Sequence, residues 1–109
     1  MKIKEILKQA SSEVQGLVDQ EFTKVNNNPL PGSNLDQAGL KGGREIVLDY
    51  LNHGEIGIAL EHLLYMVEET GIMVSKDTIK KIVKVSDQLG IKTKLDETQP
   101  EDREEFKKP

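Results

Sequence analysis

EIGIALEHLLYMVEETGIMVSKDTIKKIVKVSDQLGI, residues 55–91, decides the fold of this 109-residue chain. Ile56, Ala59, Leu60, Leu63, Leu64 and Val67 recur at steps of three, one, three, one and three. That is the spacing of one face of an α-helix. Ile58 and Met66 lie off the stripe and predict burial on a second side. Gly71 stops this helix, with Ile72 placed for the apolar contact of a Schellman ending. Ser75 opens the next helix as an N-cap, and Asp77 in its first turn suits the positive helix end. The stripe Thr78, Ile79, Ile82, Val83, Ser86 and Leu89 follows, and Gly90-Ile91 repeats the glycine–isoleucine stop. The β-branched residues of IVKV at 82–85 offer a strand instead, but the capped start and glycine stop favour helix.

Upstream, Ile46, Val47, Leu48, Tyr50 and Leu51 predict a helix over 43–53, ended by Gly54 in the left-handed conformation. Asn34 or Asp36 can cap a short turn before it, at 35–40, and Gly39, Gly42 and Gly43 make a flexible entry. NNNPLPGSN, residues 26–34, is a stiff, proline-fixed loop. Ile3, Ile6, Leu7, Ala10, Val14, Leu17, Val18 and Phe22 form the first stripe, interrupted only by Gly16. The predicted fold is therefore all-α, a small antiparallel bundle of about four helices over 2–24, 43–53, 55–70 and 76–89. Short connections at Gly54 and 71–74 predict that sequential helices pack together, with Leu60, Leu63, Leu64 and Ile82 in the core. Residues 1–95 form one domain, and 96–109 read as a charged tail, frayed or disordered.

Composition narrows the function. Apolar residues make up 36% and charged residues 31%, which suits a soluble folded domain. No apolar run approaches the roughly 18 residues of a membrane span, and the start MKIKEILKQASSEV lacks the apolar stretch of a secretory signal. The expectation is a cytoplasmic protein with no membrane partner. Zero cysteines remove disulfides and thiolate chemistry. The two histidines, His53 and His62, are separated by the helix break at Gly54 and have no nucleophile at hydrogen-bonding spacing. His53 more simply complements a helix carboxyl end, and His62 reads as a surface residue. No Glu-x-x-His pair supports a metal, and Gly39-Leu40-Lys41-Gly42-Gly43-Arg44 lacks the spacing and preceding strand of a phosphate loop. No catalytic residue, metal, cofactor or small-molecule substrate is expected.

Charge is sorted along the chain. Residues 41–70 carry Lys41 and Arg44 against Glu45, Asp49, Glu55, Glu61, Glu68 and Glu69, net −4. Residues 71–95 carry Lys76, Lys80, Lys81, Lys84, Lys92 and Lys94 against Asp77 and Asp87, net +4. The acidic middle attracts a basic partner and repels phosphate. Glu61, Tyr65 and Glu68 share one helix face, an aromatic ring between carboxylates that suits protein recognition. Asp49, His53 and Glu55 gather at the corner near one end, and Glu69 adjoins Glu68, completing the partner-binding set. A merely solvated face with a half-buried tyrosine is the alternative. The basic fourth helix keeps a second class open, an adaptor binding another protein or nucleic acid. It carries no interleaved arginine or aromatic residue for base readout.

Residues 44–91 resemble the MafI-type immunity proteins of bacterial toxin–immunity systems, relatives of the small helical proteins that accompany contact-dependent growth inhibition toxins. The resemblance rests on Gly54-Glu55, Ala59-Leu60-Glu61, Glu68-Glu69 and the Ile72 to Lys76 block. It implies binding and stoichiometric neutralisation of a cognate toxin, such as a basic, EndoU-type ribonuclease, in the cytoplasm of the producing bacterium. It does not extend to residues 1–43 or to the tail.

Overall fold

The computed structural model describes residues 2–95 and places four helices in chain order. They are α1 Ile3–Lys24, α2 Gly43–Asn52, α3 Ile56–Thr70 and α4 Lys76–Leu89. The charged tail expected at 96–109 lies outside the described residues. No described helix is long and apolar enough to cross a membrane.

α3 is the most apolar element and buries Ala59, Leu60, Leu63, Leu64, Met66 and Val67. From α1 come Leu7, Ala10, Ser11, Val14, Val18 and Phe22, and from α2 Val47 and Leu51. Ile82 is fully enclosed and Leu64 nearly so, as the stripes predict. Met66 is buried on a second side of α3, but Ile58 is not: it is 42% exposed on the outer face. Met66 is covered where α2 crosses α3. There α2 and α3 pack tightly because residue 43 is glycine. A Cβ at Gly43 would lie 2.6 Å from the Met66 sulfur and methyl.

The hairpin logic fails at the last connection. α4 packs chiefly against α1, not against its sequence neighbour α3. Buried Ile72 and Val74 carry the chain across the core. Glu13 of α1 then receives the start of α4. Its carboxylate accepts from the Ser75 N–H at 2.7 Å, the Ser75 hydroxyl at 3.1 Å and the Thr78 hydroxyl at 2.6 Å. A carboxylate at a helix amino end meets both the orphan N–H groups and the positive dipole end.

Helix ends follow local rules. Ser75 caps α4, its hydroxyl accepting from the Thr78 N–H. At α4's far end the N–H of Ile91 returns to the Ser86 carbonyl, and that of Gly90 to Asp87, the Schellman pattern. α3 ends in the simpler form: only the Gly71 N–H returns, to Val67. Ile72 is buried but does not complete the motif expected of it.

Gly16 sits mid-α1, exposed, with nothing within 4 Å of a Cβ built there. Gly16→Ala is therefore expected to stabilise the fold by about 0.5–1 kcal/mol, read from chemical denaturation. A destabilised variant would contradict the open geometry at that position.

Candidate functional site

The outer face of α3 lies between two irregular segments that grip its flanks. On one side runs the loop before α2. The His62 ring nitrogen Nε2 lies 2.8 Å from the Gly39 carbonyl. A carbonyl only accepts, so Nε2 carries the proton and donates. One turn along, the Tyr65 hydroxyl donates to the Ala38 carbonyl at 2.7 Å. The Gln37 amide donates to Glu69 Oε1 at 3.2 Å. The His62 and Tyr65 rings sit 5.4 Å apart at a 44° tilt.

This loop is not the flexible entry that its glycines predict. Gly39 takes φ +84°, and a Cβ there would come within 2.7 Å of His62 Cε1. The glycine lets the backbone lie flush on the imidazole. From α1, the Gln15 side chain donates to the Leu40 carbonyl and accepts from the Arg44 N–H at 2.7 Å, giving α2 a cap its own sequence lacks. Leu40 is fully buried beneath. His62 is thus a half-buried clamp, not a plain surface residue. Gly39→Ala should cost about 1–3 kcal/mol through left-handed strain and displacement of the His62 ring. An unchanged melting temperature would show that the loop does not depend on this contact.

On the other flank the chain after α4 runs beside α3. Ile91 reaches toward Gly57, where an added Cβ would lie 3.5 Å from its Cδ1. Farther along, Glu68 Oε2 accepts from the Thr93 hydroxyl at 3.0 Å and the Lys94 N–H at 3.1 Å. Between the flanks lies a groove of about 430 Å3, lined by Glu61, Leu64, Tyr65, Glu68 and Glu69 of α3 and by the corner at 90–92.

The expected partner-binding set therefore divides. Glu61, Tyr65, Glu68 and Glu69 surround the groove. Asp49, His53 and Glu55 are exposed at the other end, near the α2–α3 corner. There His53 Nδ1 donates to the Asp49 carbonyl at 2.8 Å, with the Asp49 carboxylate 3.6 Å away. At 1.5 Å per residue, Glu55 and Glu69 are separated by about 21 Å along the axis. Glu61 is exposed as the helix pattern predicts, whereas Tyr65 and Glu68 are half-buried and bound to the fold. The Glu61–Tyr65–Glu68 row is not uniformly solvent-facing. Sequence reading missed Gln37, Thr93 and the exposed Ile58. The first two meet α3 from 32 and 25 residues away, a separation with no local signal.

No grouping of three or more His, Cys, Asp or Glu side chains fit to hold a metal ion occurs among the described residues. No protein-family model, curated protein or solved structure matches the chain.

Proposed function

We propose that this chain is a stoichiometric protein inhibitor, an immunity protein that occludes a basic, cognate bacterial toxin domain through the outer face of α3. One observation carries the reading. α3 holds Glu61, Glu68 and Glu69, contains no lysine or arginine, and exposes Ile58 seven residues before the half-buried Tyr65. Two apolar anchors among carboxylates on one rigid helix combine contact area with electrostatic steering. The clamps at Gly39 and Glu68 fix the face in advance, which lowers the ordering cost of association. A ribonuclease toxin holds phosphate with cationic side chains, so an acidic face complements it. The resemblance of residues 44–91 to immunity proteins points the same way.

The test is to seek a toxin domain in the neighbouring genes and co-express it with this chain. Growth should be restored, and the purified pair should form a one-to-one complex. The association rate should fall steeply as salt rises, since exposed charges are screened within about 8 Å at physiological ionic strength. Absence of protection would sink the inhibitor reading. Binding that is indifferent to salt would remove its electrostatic part.

A further inference from the structure

The groove beside Tyr65 contains a cation of the chain's own. Its apolar wall is formed by Leu64, the Tyr65 ring and Ile91, while Glu61, Glu68 and Glu69 supply carboxylates. Lys92 is the one basic residue on this lining. It is exposed and closes no ion pair with these carboxylates among the described residues. Three carboxylates thus line the groove against a single ammonium that pairs with none of them among the described residues. The Glu68 carboxylate is also pre-oriented: Thr93 and Lys94 both donate to Oε2, leaving Oε1 clear of those bonds.

We propose that this groove seats an arginine side chain of a protein partner, and that Lys92 competes with it for the same carboxylates. The proposal rests on reading α3's outer face as a partner surface, but not on that partner being a toxin. A guanidinium is planar, weakly hydrated and forked, so it lies on an aromatic and aliphatic wall while bonding a carboxylate through two N–H groups. An ammonium is a compact, strongly hydrated charge that gains less from such a wall. Lys92 belongs to a corner held by the Thr93 and Lys94 bonds, and its exposed charge lowers the field felt by an arriving cation.

The probe is acetyl-Gly-Arg-Gly-amide, titrated at low salt into the full chain and followed by backbone amide shifts, with the lysine peptide in parallel. The expected result is saturable shifts centred on Tyr65, Glu68 and residues 90–94, with the arginine peptide at least about threefold tighter. Glu61→Gln with Glu69→Gln keeps an acceptor for Gln37 and should weaken arginine binding at least about fivefold, whereas Lys92→Ala should tighten it about twofold. Shifts spread equally over remote acids such as Asp19 and Glu45, equal response to both peptides, or indifference to the double substitution would each overturn the proposal. Toxin protection that persists alongside such a failure would leave the inhibitor reading standing. Groove binding without protection would do the reverse.

Discussion

Leu60→Ala should lower the free energy of unfolding by about 2–5 kcal/mol, because the site is fully enclosed and cannot collapse around the missing methyls. Small domains are held by only about 5–15 kcal/mol, so this one change should consume a large part of the stability. Leu60 belongs to α3, which packs against α2 and α1, and its removal leaves a void in the core they share. Urea denaturation read by circular dichroism checks the prediction. A loss under about 0.5 kcal/mol would show that the α3 stripe is not the core. Ile58→Ala is the matched control on the same helix. Its side chain is exposed, so the change should sit within about 0.5 kcal/mol of the parent.

The helices were legible because their signals are local. The apolar stripes of α1, α3 and α4, the Ser75 cap and the glycine stops at Gly54, Gly71 and Gly90 each act within a few residues. Packing partners were not legible in the same way. The short link from Gly71 to Val74 suggests that α4 returns along α3, yet Glu13 draws its amino end to α1. Nothing near Ser75 announces a carboxylate 62 residues away.

The candidate site shows the same division. That Glu61, Tyr65 and Glu68 share a face follows from helical spacing, and so does the exposure of Glu61. What each does there depends on remote chain. Ala38 takes the Tyr65 hydroxyl, and Thr93 takes up one oxygen of Glu68. The glycines at 39–43 read as looseness in the sequence, yet in the fold they permit close approach to His62 and Met66. Ile58 misled for a related reason. Its side chain is left exposed, and the stripe cannot report where neighbouring helices stop.

These contacts also determine which substitutions test function cleanly. Tyr65 and Glu68 hold the loop and the segment after α4, so changing them perturbs the fold and the face together. Ile58 and Glu61 are exposed on the same face, and neither side chain makes a hydrogen bond or ion pair among the described residues. Ile58→Asp combined with Glu61→Lys replaces an apolar anchor and reverses a steering charge. The pair should weaken toxin binding by about 2 kcal/mol or more, roughly thirtyfold, and leave thermal unfolding unchanged.

The most direct measurement is the dissociation constant of this double variant for the toxin domain that the parent chain is proposed to bind, taken with its melting curve and its protection in co-expression. The expected result is an intact melt, at least about thirtyfold weaker binding and lost protection. A double variant that melts normally, binds as tightly as the parent and protects equally well would contradict the assignment of α3's outer face as the inhibitory surface.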